Sequence, residues 1–506
     1  MLCDQCGSLF ERDPSRSSFL HEDGTHNDSV TGLEDEMASV EMMMEKLVQR
    51  KIHLRRRINA LSLTARLPPE ILIYIFRIAS QDGERPIPPL FFGSICKEWR
   101  DIAWSTPLLW NSVSVHVSRQ THGSQIQLLG DWLLRAKTAP LFIKLTSDDE
   151  HEAIFCSLQT IMDVLVTRSM YWYSLDCLLP PQCHELLKNN HFPMLASVSI
   201  RPPKGTISTF SESPNMFLSA PKLLDVDLSG YNFPSMVLPW EQLRRFKTHF
   251  LTVAECLKVI RRSSNLKECH LESVYSPEII PSPISDTLQS ELETLDVMLI
   301  KGGAISLLDG ITLPCLRELR VHYSGVGGFL LSAISSLVMR SGCNVQKLCI
   351  EKHNFRDDDL ISCLETMPSV THLSLNLLGH DGPSFTGLTS KFIATLDPTS
   401  HPGRIILPNL TSFEFRGQVL CDVRILLYMV GHRWRSTATD GYDYDTASLA
   451  SVKIFHSNEL EVSPEREVEL DRLRAEGMLV TIHAADEFSN THHHCKSASL
   501  FMTLIH

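Results

Sequence analysis

Residues 243–271 read LRRFKTHFLTVAECLKVIRRSSNLKECHL: an apolar-x-x-apolar-x-apolar hexad from Leu243, an amphipathic stretch from Thr252, and a second hexad from Leu266. The hexad suits a strand with one apolar face, and TVAECLKVIRRSS suits a return helix. The same hexad recurs as LASVSI from Leu195, LLDVDL from Leu223, LETLDV from Leu292, LRELRV from Leu316, VQKLCI from Val345, VTHLSL from Val370, LTSFEF from Leu410 and LASVKI from Leu449. Successive starts lie 28, 20, 23, 26, 24, 29, 25, 40 and 39 residues apart. Most intervals match a 20–29 residue repeat in which each unit is one strand and one return. Pro or Asn stands before the first apolar position at Pro221, Asn265, Pro314, Pro368 and Pro408, and DLISCLETM from Asp359 supplies another return helix.

Working outward, residues 113–200 hold looser units: the strand SVSVHV after Trp110, the helix QIQLLGDWLLRAK, the strand PLFIKLT, the helix FCSLQTIMDVLVTRS and the strand SLDCLL. The two longest intervals, across Gly379–Asp397 and Gly417–Tyr444, are rich in Gly, Pro, Thr and Asp and are expected to be surface insertions. Near the end, VELDRLRAEGMLVTIHA predicts a helix, a turn at Gly477 and a closing strand that caps the array. The fold class is therefore α/β, with a repeat array over 113–485 and a loosely held tail over 486–506.

Side chains alternate along a strand, so residues between the apolar hexad positions share the face opposite the core. On that face fall Asp225, Asp227, Arg245, Lys247, His249, Glu268, His270, Glu272, Asp296, Met298, Glu318, Arg320, His322, Lys347 and Glu351. Neighbouring strands carry acid, base, acid and then mixed charge, which suits a protein segment of complementary charge. Of these, Asp225, Asp227, Arg245, Lys247, His249, Glu268, His270, Arg320 and His322 form the candidate substrate-binding set; the alternative is that they are simply solvated strand positions.

The N-terminal part differs. Residues 1–32 are polar and acidic and read as a disordered tail. Over 33–66, Met37, Val40, Met44, Leu47, Lys51, Leu54, Ile58 and Leu61 follow the 3,4 alternation of a heptad seam. Dimerisation as a coiled coil and packing of this amphipathic helix against its own neighbouring domain both remain open. Residues 67–112 then compress three short helical signals into one segment. Ile71, Leu72, Ile75, Phe76 and Ala79 form one stripe after Pro68 and Pro69. A second helix sets Phe91, Phe92, Ile95, Cys96, Trp99, Ile102 and Ala103 against Lys97, Glu98, Arg100 and Asp101. Thr106-Pro107 is expected to cap and start a last turn ending at Trp110.

Leu67, Pro68, Glu70, Ile71, Ile75, Phe76, Ile95, Cys96, Lys97, Trp99, Ile102, Ala103, Leu109 and Trp110 together resemble an F-box, with the link at QDGERPIPP lengthened as in fungal groups of that family. The repeats resemble the irregular leucine-rich repeats of F-box proteins, without a clean asparagine ladder. The resemblance implies a short helical F-box followed by an αβ leucine-rich-repeat solenoid. It implies a substrate receptor of an SCF-type ubiquitin ligase that binds a Skp-type adaptor, through it a cullin, and a target protein on the repeats. The adaptor-binding residues would be drawn from Leu67, Pro68, Ile71, Ile75, Phe76, Ile95, Trp99 and Trp110, some of which must instead be core. The alternative is an F-box scaffold that binds an adaptor without ligase function.

Other chemistries find little footing. The formal charge of -12 argues against general nucleic-acid binding, and no apolar run reaches the length of a membrane span. The first residues lack a secretory signal, and fourteen cysteines scattered through so long a chain suit reduced thiols of the cytoplasm or nucleus. Neither a phosphate-cradling Gly-x-x-x-x-Gly-Lys-Ser/Thr loop nor a Gly-x-Ser-x-Gly elbow occurs, so no catalytic residue and no cofactor is expected. HELLK from His184 lacks the second His of a zinc protease because Lys188 stands there. Cys3, Cys6, His21 and His26 approach zinc-finger spacing, with an ordinary polar tail as the default reading; His492, His493, His494 and Cys495 are read as an exposed terminus.

Overall fold

The computed structural model describes residues 30–81, 86–117, 123–146, 155–178, 187, 190–201, 217–228, 237–277, 287–300, 302–323, 329–352, 355–378, 387–400, 405–435, 446–458 and 463–484. The Cys3, Cys6, His21 and His26 set, His184 and Lys188, the C-terminal tail and the N-terminal tail up to residue 29 lie outside them, as do residues 82–85 of the QDGERPIPP link; Val30–Gly32, read from the sequence as part of the disordered tail, instead begin a helix. The chain divides into two compact units, one comprising residues up to Phe76 with Pro88–Ala103, the other Arg77–Ile87 with Trp104 onward.

The helices in chain order are α1 (Val30–Ala60), α2 (Pro69–Gln81), α3 (Pro89–Ile95), α4 (Lys97–Ser105), α5 (Gly123–Ala136), α6 (Phe155–Val166), α7 (Val253–Arg262), α8 (Ser306–Asp309), α9 (Phe329–Ser341), α10 (Asp357–Glu365), α11 (Ser390–Leu396), α12 (Val423–Trp434) and α13 (Pro464–Ala475). α1 runs for 31 residues with none buried, so its seam is not packed back on its own unit. In the first unit, Leu72, Phe76, Phe92 and Ala103 are buried. Phe76 stacks on Phe92 with ring centroids 4.3 Å apart and tilts against Trp99 at 4.9 Å.

The single helix expected over Phe91–Ala103 is broken at Cys96. Its backbone is extended (φ -152°, ψ 169°), and its Sγ accepts the amide of Trp99 at 3.4 Å. A sulfur cap for one of the orphan amides of α4 thus separates α3 from α4. Thr106, expected to cap the next turn, makes no side-chain capping bond to it.

The second unit contains β1 (Ser112–His116), β2 (Leu141–Thr146), β3 (Trp172–Leu178), β4 (Ser197–Arg201), β5 (Asp225–Leu228), β6 (Arg245–His249), β7 (Glu268–Val274), β8 (Leu288–Gln289), β9 (Thr294–Leu299), β10 (Ile311–Thr312), β11 (Glu318–Tyr323), β12 (Lys347–Glu351), β13 (His372–Asn376), β14 (Ser412–Gly417), β15 (Ser451–His456) and β16 (Leu479–Ala484). β8 and β10 pair with each other; the other fourteen form one sheet in sequence order. Every pairing in that sheet is parallel. Parallel neighbours cannot be joined by a tight hairpin, so each connection must cross back over the sheet. α7 is one such return: Thr252 Oγ1 accepts the Glu255 amide while Glu255 accepts the Thr252 amide, and Val253, Cys256, Val259 and Ile260 are buried.

The two long intervals are not simple insertions. They contain α11, which buries Phe392, Ile393 and Leu396, and α12, which buries Leu426, Leu427, Met429 and Val430. Apolar burial organises these segments despite the flanking Gly, Pro and Thr. Gly477 (φ +99°) turns the chain from α13 into β16 in a conformation that side chains disfavour.

Candidate functional site

Each strand of the large sheet buries one set of alternate residues and leaves the other set accessible, as in the burial of Phe246 and Thr248 between Arg245, Lys247 and His249. In-register pairing puts Asp225, Arg245, Glu268, Thr294, Glu318 and Lys347 in one row, and Asp227, Lys247, His270, Asp296 and Arg320 in the next. These charges meet each other. Arg245 Nε donates to Glu268 Oε2 at 2.6 Å, and its Nη1 donates to Asp225 Oδ2 at 3.1 Å. Lys247 and His249 both reach Glu272, at 2.9 and 3.0 Å. His270 lies 3.3 Å from Asp296, and Lys347 2.6 Å from Glu318. Glu351 takes His322 at 3.5 Å and Arg320 at 3.9 Å.

The carboxylates titrate according to these partners. Burial acts to raise Glu272, but hydrogen bonds from His249 and Lys247 outweigh it and hold the carboxyl at about 2. The His322 hydrogen bond holds Glu351 at about 2 against burial. Arg245 lowers Glu268, whereas the deeper Asp225 is raised, since burial there exceeds the pull of the same guanidinium.

A bulge interrupts the row between β7 and β9, where Leu271–Val274 is matched to Val297–Leu299. Ser273 adopts φ +62° there, and its Oγ lies 3.2 Å from His249 Nε2 and 3.9 Å from Met298 Sδ. The extra residue bends the strand at the centre of the charged face.

Every position placed on this face from the sequence is at least partly accessible except His322. Only 8% exposed, His322 is buried, with Nε2 unpartnered, and so supports Glu351 rather than offering a free contact. Sequence reasoning missed an aromatic pair on the accessible side of β2 and β3, Phe142 and Tyr173, with ring centroids 5.2 Å apart. The apolar residue in an outward phase of PLFIKLT was its only signal.

The residues expected to hold an adaptor separate into two groups. Pro68, Ile71, Ile75 and Ile95 are exposed, and Leu67 and Trp99 are half-buried. Tyr74 and Phe91, absent from that set, are exposed as well. Phe76 is fully buried and belongs to the core of the first unit. Trp110, also fully buried, packs in the second unit edge-on to Trp104 and Trp132, with the Arg135 guanidinium 4.9 Å from its ring. Neither can be a surface anchor.

Nine cysteines among the described residues form no disulfide, and most of them are buried; burial pushes the Cys269 and Cys349 thiols up to about 12, which keeps them protonated and unreactive. No described helix is long and apolar enough to cross a membrane.

These features define a mixed α/β protein with a large parallel sheet. No family model matches the chain, and no curated protein matches it. Among solved structures it is similar to a Bacteroides fragilis protein determined as a structural-genomics target, at 14% identity over 69% of this chain and 75% of the other, with a TM-score of 0.26.

Proposed function

We propose that the chain is an F-box protein acting as the substrate receptor of an SCF-type ubiquitin ligase, in the cytoplasm or nucleus. The first unit docks a Skp-type adaptor and through it a cullin, while the strand-by-strand array is a leucine-rich-repeat solenoid that holds the target. The observation that carries this reading is the apolar surface on α2 and α3: Ile71, Tyr74, Ile75, Phe91 and Ile95 are 47, 61, 43, 53 and 48% exposed. They sit beside a core of Leu72, Phe76 and Phe92 that already fills the interior. Exposed apolar side chains gathered on so small a unit suit a partner. No bond is made or broken by this chain; holding a target beside the transfer machinery raises its effective concentration.

The open sheet face limits the target. Over its middle strands, β5–β12, seven carboxylates (Asp225, Asp227, Glu268, Glu272, Asp296, Glu318 and Glu351) face four fixed cations (Arg245, Lys247, Arg320 and Lys347), whereas the flanking strands add Asp176 and Glu414 against Lys144, Arg201, Arg416 and Lys453. That excess favours a basic segment, which could use Phe142 and Tyr173 as stacking surfaces.

The test is co-purification of adaptor and cullin with the intact chain and with Ile75→Asp/Ile95→Asp, whose side chains lie outside the core. Both proteins are expected with the first and lost with the second, circular dichroism being unchanged. Adaptor without cullin, and no F-box-dependent ubiquitin on captured partners, would favour the scaffold alternative. Recovery of neither partner with the intact chain would overturn the reading.

A further inference from the structure

We propose that α1 assembles two copies of this chain through an antiparallel two-stranded coiled coil. This stands independently of the adaptor and substrate reading. α1 is 31 residues long, about 46 Å at 1.5 Å per residue, and none of its residues is buried. Its apolar side chains are open to solvent: Val30 71%, Leu33 55%, Met37 62%, Val40 53%, Met44 60%, Leu47 65%, Leu54 44% and Ile58 67% exposed. They occupy successive a and d positions of one heptad register. Val30, Met37, Met44, Lys51 and Ile58 stand at a, and Leu33, Val40, Leu47, Leu54 and Leu61 at d. Helices gain most of their stability in water by covering such a seam, and nothing in the described chain covers this one.

Two features of the sequence on this helix commit the occupant and its direction. The flanking e and g positions carry Glu34, Glu36 and Glu41 in the first half and Arg50, Arg55 and Arg57 in the second. In a parallel pair each g position meets the following e position of the other helix. Glu36 would then face Glu41 and Arg50 would face Arg55, and both contacts are repulsive. In an antiparallel pair e meets e and g meets g, with the acidic half of one helix against the basic half of the other. Glu34 then faces Arg55 and Glu36 faces Arg57 of the second copy, and symmetry repeats both contacts.

Lys51 gives the same answer. A parallel pair would bring the two Lys51 ammonium groups together in one a layer. The antiparallel alignment instead places Lys51 opposite Val40. The same register sets Leu33 against Ile58, Met37 against Leu54 and Met44 against Leu47, with Val30 reaching Leu61 one residue past the helix, so the two helices match over nearly their whole length. A chain that is self-complementary in charge, core and length only when inverted points to a second copy of itself.

The experiment is light scattering on the intact chain after gel filtration, with sedimentation for the dimer dissociation constant at low salt. A mass of twice 57.1 kDa is expected. Met44→Ser/Leu47→Ser should leave a monomer whose circular dichroism outside α1 is preserved. Glu34→Arg/Glu36→Arg and, separately, Arg55→Glu/Arg57→Glu should each weaken the dimer by about tenfold to a hundredfold, an effect screened by salt. All four substitutions in one chain should restore it to within a few-fold. In a parallel dimer each pair of substitutions would instead tighten association. The guanidinium introduced at position 36 would meet Glu41, and the carboxylate introduced at position 55 would meet Arg50. Tightening, a monomeric intact chain, or a dimer indifferent to Met44→Ser/Leu47→Ser would each overturn the proposal.

Discussion

Replacing Arg433 by Met should loosen one defined part of the sheet, and the size of the effect follows from what the guanidinium holds. Arg433 is fully buried on α12. Its Nε donates to the Leu396 carbonyl at 2.6 Å, Nη2 to Ile406 at 2.6 Å and Nη1 to Leu407 at 2.9 Å. The side chain thereby ties α12 to the end of α11 and to the approach of β14, across the longest repeat interval. Leu407 is itself in the left-handed region (φ +52°), which a branched residue adopts only under restraint. Three charge-assisted hydrogen bonds at roughly 1.5–3 kcal/mol each set the gross loss. Against it stands the cost of burying the cation, visible in a guanidinium lowered to about 10 by burial and equivalent to roughly 3 kcal/mol. The net expectation is a destabilisation of about 3 kcal/mol. Followed by native-state hydrogen exchange, this is about a hundredfold loss of protection in 390–396, 405–417 and 423–434, with little change in β1–β7. Arg433→Lys, which keeps the charge but not the three-way fork, should fall between wild type and Met. Unchanged protection in the Met variant, or a Lys variant as protected as wild type, would refute the clamp.

Other consequences are open to direct measurement. Glu272 and Glu351 sit at about 2 in the folded chain against an ordinary 4.5, so the unfolded chain binds their protons first. Their contribution is complete above about pH 4.5 and fades as pH falls toward 2, on the order of 2 kcal/mol each after allowance for partial exposure. Urea midpoints taken across that window should fall, and Glu351→Gln should flatten the slope; a flat profile for the native chain would contradict the assignment. Thr252→Ala removes the reciprocal cap of α7 and should cost about 1 kcal/mol, seen as faster exchange confined to 253–262. Phe142→Ala/Tyr173→Ala should weaken capture of a basic peptide partner at least severalfold while leaving the urea midpoint nearly unchanged, because both rings are on the accessible face. A large stability loss would reassign the pair to the core.

All ten hexads are strands of one sheet, in order, because their signal is redundant. Nine carry three apolar residues on one face, LRRFKT carries two with Thr248 buried in the third place, and each next unit repeats the demand. The returns are harder to see. SKFIATL and VRILLYMV are short apolar runs set among Gly, Pro and Thr, and local turn chemistry masks helices that burial against the sheet stabilises. The break at Cys96 is hidden for a related reason: Ile95 and Trp99 keep helical spacing across it, and only a sulfur cap reveals the interruption. Ile75 and Phe76 look interchangeable in sequence. Their opposite fates, exposed and buried, depend on where Phe92 and Trp99 fix the phase of α2. His322 is buried because Val321, His322 and Tyr323 all are, a local failure of strand alternation that no pattern in LRELRV announces.

The charged face itself was legible residue by residue but not as a network, and the difference bears on how it could bind. Bands of alternating sign on adjacent strands suggest charges waiting for a ligand. Register instead delivers each cation to a carboxylate across the strand, as Arg245 lies between Asp225 and Glu268. Such pairs are half-exposed and worth little individually, so a ligand that exchanges one partner for another gains little net energy from charge. What the pairs do provide is position: carboxylates held in rows at strand spacing, with a surplus over the cations across β5–β12. A basic segment could insert along those rows at small cost while a segment of the wrong sign would meet repulsion. Specificity would then come from the charge pattern, and affinity from desolvated contacts such as Phe142 and Tyr173. Hence reversing Arg245 should alter which peptides bind more than it alters how tightly the best one does.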